Sequence, residues 1–212
     1  LNTAIMKNSL WSEPLIKAII DKFISTENLL DMRFILMTIL GFSGFFRISE
    51  MLQIQIQHIT FCQSGVKIFL PKSKTDQIRE GNTVFISATK GSYCPIYWLQ
   101  KYINLAKLSR PNDYLFCRLF KCKIGHSAHG NLPISYTTAR DSLKGHLTGI
   151  VEDKAKYGLH SLRSGGATEA ANNGVSDRMI SKHGRWSSNT SRDTYIKDKP
   201  LNRFKVSRQL GI

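Results

Sequence analysis

Acidic residues are scarce in this chain: 15 Asp and Glu stand against 30 Lys and Arg among 212 residues, a formal net charge of +15. So basic a surface disfavours cationic ligands and points to a polyanion, nucleic acid first and an acidic membrane second. The membrane reading lacks the concentrated polybasic tract or basic amphipathic helix it needs. A solvated surface tuned for solubility is the bland alternative. Long apolar runs are also missing. The longest, over residues 34–46, is too short to span a bilayer and is bounded by Arg33 and Arg47. Only four cysteines occur, at positions 62, 94, 117 and 122, too sparse for a disulfide framework and consistent with a reducing compartment. No secretory pattern opens the chain, which begins at Leu1 and reads as an excised fragment. Internal repeats and low-complexity tracts are absent. With 42% hydrophobic residues, a sizeable core is expected instead.

Periodicity divides the chain into a mainly α fold with a small antiparallel β-sheet. Ser12, Glu13 and Pro14 read as a helix start, followed by Leu15, Ile16, Ile19, Ile20, Phe23 and Ile24 on one face. A second helix, over 31–42, is apolar nearly all round and is expected to be buried. A short third helix begins near Arg47. Strands are expected over 56–61, 66–70 and 83–86, the first two joined by Gln63-Ser64-Gly65. A helix over 96–108 leads into an expected loop over 109–133. Further helices are expected over 135–151, 160–173, 176–182 and 189–197, with Gly174 as a stop. Within the loop, Cys117, Cys122, His126 and His129 read either as four zinc ligands at irregular spacing or, with more weight, as core cysteines and loop polarity.

Three segments carry chemistry. In the first, Gly44-Phe45-Phe46-Arg47-Ile48-Ser49-Glu50, an arginine follows a buried helix and a glutamate stands three residues on. A guanidinium there can hold a phosphate by two parallel hydrogen bonds while Glu50 fixes its plane. By itself such a pair is more often a surface salt bridge. The second, Leu159-His160-Ser161-Leu162-Arg163-Ser164-Gly165-Gly166-Ala167, puts His and Arg on one face near a helix N-terminus, with small residues that allow close packing. The third, Gly184-Arg185-Trp186-Ser187-Ser188, precedes Tyr195, which lies nine residues after Trp186. An isolated tyrosine at such a place is usually packing.

Taken in order, these segments resemble the tyrosine recombinase family of Xer, Cre and phage-integrase enzymes, over residues 12–198, with a flavour closest to eukaryotic mobile-element recombinases of the Crypton or DIRS kind. The resemblance implies that Arg47 and Arg163 bind the scissile phosphate, with Glu50 bracing Arg47. Lys74 takes the hairpin-lysine place, with Lys72 competing. His160 assists proton transfer or phosphate binding. Trp186 stands where many members have histidine, and His183 lies three residues too early for that place. Tyr195 is the implied nucleophile. The first box departs from the family in reading Phe-Phe-Arg where many members have Gly-Leu-Arg. Residues 1–212 then form one catalytic domain, with 199–212 as a tail and the family's N-terminal DNA-clamping domain outside this chain. Leu201, Phe204, Val206 and Leu210 recur along that tail at partly helical spacing, which leaves docking in cis or in trans open.

The chemistry implied is site-specific DNA recombination through a 3′-phosphotyrosyl intermediate. Two arginines neutralise the phosphate, tyrosine attacks, and a lysine protonates the departing 5′ oxygen. Neither metal nor cofactor is implied. Double-stranded DNA is the implied partner, with a homotetramer on paired sites, an intracellular DNA-associated location (the nucleus in a eukaryote), no membrane and no small-molecule substrate. Relaxation of the type IB topoisomerase kind and a non-catalytic DNA-binding module remain as alternatives.

Overall fold

A computed structural model describes residues 11–71 and 81–210 of the chain. Helix α1 (Glu13–Lys22) starts at Ser12, whose side chain makes no capping bond; Pro14 and Glu13 in the first turn favour the start instead. Its inner face is Leu15, Ile16, Ile19 and Ile20. Helix α2 (Leu29–Ser43) is the centre of the domain. Asn28 caps it by accepting the Leu30 N–H at 2.9 Å. Met32, Phe34, Ile35, Leu36, Met37, Ile39 and Leu40 are all buried, as a helix without a polar face requires. Helix α2 is ringed by α1, α4 (Pro95–Leu105), α5 (Tyr136–His146) and α6 (Ser161–Asn172). At its end it delivers the chain to the short helix α3 (Ile48–Met51).

The sheet has the order β1-β2-β3, antiparallel throughout, from β1 (Ile59–Cys62), β2 (Gly65–Leu70) and β3 (Asn82–Ser87). Ile59 pairs with Ile68, and Ile68 with Val84, so one face of branched apolar residues turns to the core while Phe69 and Phe85 face outward. The expected first strand is shorter than its apolar pattern suggested, because Ile56–His58 forms a 3₁₀ turn. Lys72 and Lys74, between β2 and β3, lie outside the described residues.

Two further expectations are corrected. The segment read as a loop holds a second hairpin, β4 (Cys117–Cys122) with β5 (Gly125–Pro133), bulged between Cys117 and Arg118. A two-stranded ribbon leaves most of both faces wet, so its sequence carries no apolar alternation to read. Cys117 is buried at the base of this ribbon and Cys122 is exposed at the other end of β4. Among the described residues no three His, Cys, Asp or Glu side chains are grouped to hold a metal. The second correction concerns the last helices. After α7 (Asp177–Gly184), helix α8 covers only Asn189–Asp193, so Tyr195 stands in the turn beyond it rather than on it. Helix α9 (Pro200–Arg208) forms the tail. Its start is tied to its own domain: Asn202 Nδ2 donates to Asn172 Oδ1 at 2.7 Å, while Phe204 and Leu210 are exposed. The Leu201 and Val206 side chains lie outside the description.

The small residues of α6 meet what they make room for. A Cβ on Gly165 would press into Trp11, and one on Gly166 into the Phe42 carbonyl and the Phe45 ring. This close approach sets α6 against the end of α2 and so brings the second motif to the first. No described helix is long and apolar enough to cross a membrane.

Candidate active site

The first motif is a turn held from behind. Phe45 takes a left-handed conformation (φ 47°), which reverses the chain after α2 and places Arg47 as the N-cap of α3. Glu50, one turn on, closes back: Oε2 accepts the Arg47 backbone N–H at 3.0 Å and Oε1 accepts Arg47 Nη1 at 2.7 Å. Arg47 therefore presents its guanidinium in a fixed plane, partly exposed, while Glu50 is buried. Burial alone would raise the Glu50 carboxyl, but Arg185 and Arg47 outweigh it and hold the group below the usual carboxylate range.

The second and third motifs assemble around Arg163, which is fully buried. Its guanidinium donates to the Phe45 and Gly184 carbonyls. Over it lie the rings of Trp186, at 4.2 Å, and Tyr195, at 5.2 Å. Those two rings are 5.1 Å apart, and the exposed His160 ring stands 5.4 Å from Tyr195 on the other side. The Tyr195 backbone is pinned to α6: its carbonyl accepts from Ser164 Oγ at 2.6 Å and Thr168 Oγ1 at 3.1 Å. Helix α8 is anchored on α7 by the buried Arg192, which pairs with Asp177 at 3.1 Å and Asp193 at 2.7 Å. The result is an open cleft of about 480 Å³ lined by Arg47, His160, Trp186, Thr190, Ser191, Thr194 and Tyr195. Partial desolvation, then the charges of Arg163 and Arg47, lowers the His160 pKa below its ordinary value, which favours the neutral imidazole. The Trp186 indole N–H is buried and meets no acceptor among the described residues.

Five of the expected residues, Arg47, His160, Arg163, Trp186 and Tyr195, thus converge, with Glu50 behind them. Arg163 does not line the cleft; it lies beneath it. His183 is directed elsewhere: its Nε2 meets the Ser43 carbonyl at 2.8 Å and its ring packs edge-on against Phe45. The model of the phage integrase family matches residues 14–201. The chain belongs to the phage integrase family.

Among curated relatives of this family, the "Integrase/recombinase xerD homolog" of Selenomonas ruminantium is 30% identical over 172 residues, 78% of this chain and 49% of that protein. The chain therefore spans about half the length of the curated relative it matches. Solved structures share the fold. The XerH site-specific recombinase bound to palindromic difH substrate, a post-cleavage complex, matches with a TM-score of 0.70 at 14% identity, over 94% of this chain and 52% of that one. XerA recombinase matches with a TM-score of 0.69 at 18% identity, over 97% and 64%.

Set against the phage integrase pattern, the Phe-Phe-Arg departure acquires a physical meaning. Phe45 occupies a left-handed position, where a glycine would be unstrained. Its ring is held between His183, Trp186 and α6, and its carbonyl takes two buried guanidinium groups. Arg185 was not singled out from sequence, and neither were Ser164 and Thr168. The only sequence signal for Arg185 was its place between Gly184 and Trp186 in a motif already marked.

Proposed function

We propose that this chain is a tyrosine recombinase catalytic domain that cuts and rejoins double-stranded DNA through a covalent link at Tyr195. One observation carries the reading: Tyr195 alone among the described tyrosines stands on a cleft whose rim holds a braced arginine, with a second guanidinium beneath its ring.

In this mechanism Arg47 takes the non-bridging oxygens of a phosphodiester lying across the cleft. Arg163 supplies a second, fixed positive charge from below, which favours the charge that accumulates as tyrosine oxygen attacks phosphorus. The neutral His160 imidazole is able to accept the phenolic proton or to hydrogen-bond a phosphate oxygen. The unpartnered Trp186 N–H donates to the phosphate once DNA is seated. Cleavage exchanges the bond to the 5′ oxygen for a bond to Tyr195, leaving a 3′-phosphotyrosine. The 5′ oxygen leaves with a proton from a lysine between β2 and β3, Lys74 or its competitor Lys72. Attack by a different strand's 5′ hydroxyl reverses the step and rejoins the backbone without another energy source. Exchange between two duplexes cuts four strands, which fits a homotetramer in which the exposed Phe204 of α9 and Leu210 just beyond it offer contact surface.

The test is incubation with nicked duplexes of randomised sequence, followed by denaturing electrophoresis. A covalent protein–DNA adduct is expected from the wild type and from Tyr136→Phe and Tyr157→Phe, but not from Tyr195→Phe. Normal adduct from Tyr195→Phe would remove the assignment. Folded, DNA-binding protein that never yields adduct would favour a non-catalytic binding module.

A further inference from the structure

We propose that Arg185 is a positioning residue for Arg47, acting through Glu50. The inference rests on the function proposed above and adds a member to its site. Arg185 is the C-cap of α7, in the left-handed region (φ 60°, ψ 40°), where glycine is the unstrained residue. A long side chain here needs a compensating structure, and one is present. The Arg185 side chain is 3% exposed and runs to the back of the first motif. Its Nη2 donates to Glu50 Oε2 at 2.8 Å and to the Phe45 carbonyl at 3.0 Å. Its Nη1 donates to the His183 carbonyl at 2.9 Å and the Gly44 carbonyl at 3.3 Å. Four acceptors, one on α7 and three in the first motif, are thus joined by one guanidinium, and α7 is clasped to the turn that carries Arg47.

The consequence for Arg47 is both geometric and electrostatic. Glu50 divides its oxygens, Oε1 to Arg47 and Oε2 to Arg185 as well as to the Arg47 backbone. Arg185 fixes the carboxylate from behind, so the carboxylate can fix the Arg47 plane in front. It also shares the Glu50 charge. Three guanidinium groups stand at the site with one carboxylate: Glu50 pairs with Arg47 and Arg185, Arg163 lies on backbone carbonyls, and two positive charges remain. Two is the count that matches the dianionic phosphorane formed when a phosphodiester is attacked. Without Arg185, Glu50 would be neutralised by Arg47 alone, and the cleft would hold one net charge fewer when the phosphate needs it. Arg185 does not line the cleft, so its action runs through Glu50 and not through contact with DNA.

The test compares wild type with Arg185→Gly, Arg185→Lys, Glu50→Gln and the double variant Glu50→Gln/Arg185→Gly. Glycine suits the left-handed backbone, and lysine keeps a charge beside Glu50 should the glycine variant fold poorly. Three quantities are read: duplex affinity, the single-turnover rate of adduct formation on nicked DNA, and ¹⁵N relaxation of the Arg47 Nε–H. Arg185→Gly should bind DNA within about threefold of wild type, form adduct at least tenfold more slowly, and show a more mobile Arg47 side chain. Arg185→Lys should recover part of the rate, and the double variant should be no slower than Glu50→Gln. An unchanged rate and unchanged Arg47 relaxation in Arg185→Gly would overturn the proposal. So would a fully additive double variant, which would make Arg185 and Glu50 independent. If wild type forms no adduct, the functional reading fails, while the relaxation of Arg47 still decides whether Arg185 positions it.

Discussion

The rings of Trp186 and Tyr195 lie 5.1 Å apart at an interplanar angle of 46°, with the Arg163 guanidinium against both. The tryptophan is therefore a wall for the tyrosine as well as a donor. Trp186→Ala should slow adduct formation by at least tenfold and loosen Tyr195, because it removes the wall and an N–H together. His183→Ala leaves the cleft lining intact and removes a bond to the Ser43 carbonyl, so it should lower stability by about 1 kcal/mol with little effect on the rate per folded molecule. Single-turnover cleavage and urea unfolding measured on both variants check this. The opposite ranking of rates would return His183 to the site.

Two helical glycines should respond to alanine with opposite signs. Alanine normally stabilises a helix interior over glycine by up to about 1 kcal/mol. Gly145 in α5 has open space around a new methyl, so Gly145→Ala should raise stability by that order. Gly166 in α6 has the Phe42 carbonyl and the Phe45 ring in the way, so Gly166→Ala should lower it by about 1–3 kcal/mol. Thermal unfolding of the two variants gives the comparison. Stabilisation by both would mean that α6 and α2 do not approach as closely as described.

The order of motifs was readable because each sits at a helix end, where a polar residue must interrupt an apolar pattern. Arg47 follows the buried run of α2, and His160 and Arg163 open α6. Four features were not readable, for physical reasons. Arg185 occupies a backbone conformation that ordinarily selects glycine, and its partner Glu50 is 135 residues away. Phe45 hides a left-handed turn for the same reason. The β4-β5 ribbon buries too little to show a period. Tyr195 was expected inside a helix over 189–197, but the helix stops at Asp193, and the carbonyl bonds from Ser164 and Thr168 that hold the turn come from a distant element. Backbone capture by hydroxyls leaves no pattern in sequence.

Glu50 should tie stability to acid. Its folded pKa lies below its unfolded value of about 4.3, so its contribution is fully present above about pH 4.3 and is lost as pH falls through the folded value. Glu50→Gln mimics the protonated form. At pH 7 it should be less stable than wild type by about 3 kcal/mol, the order seen when one partner of a buried pair is removed. The gap should narrow steadily below about pH 4, since other acid effects are shared by both proteins. Urea titrations at pH 7, 5 and 3.5 would measure it, and a gap independent of pH would mean that Glu50 is not the ionised partner of Arg47 and Arg185.

The lysine between β2 and β3 is decided by leaving-group chemistry. An oxygen leaving from phosphorus needs a proton, whereas sulfur in the same bridging position leaves as a stable thiolate and needs almost none. If Lys74 supplies that proton, Lys74→Ala should cut the rate on an ordinary nicked duplex by two orders of magnitude or more with DNA binding nearly kept. The same variant should approach wild-type rate on a duplex with a 5′-bridging sulfur. Lys72→Ala should show neither the defect nor the rescue. Because Lys72-Ser73-Lys74 puts the two amines on the same short segment, the exchange of these outcomes would move the role to Lys72. Equal defects on oxygen and sulfur substrates in both variants would mean that neither lysine is the acid and that the pair serves to hold the phosphate.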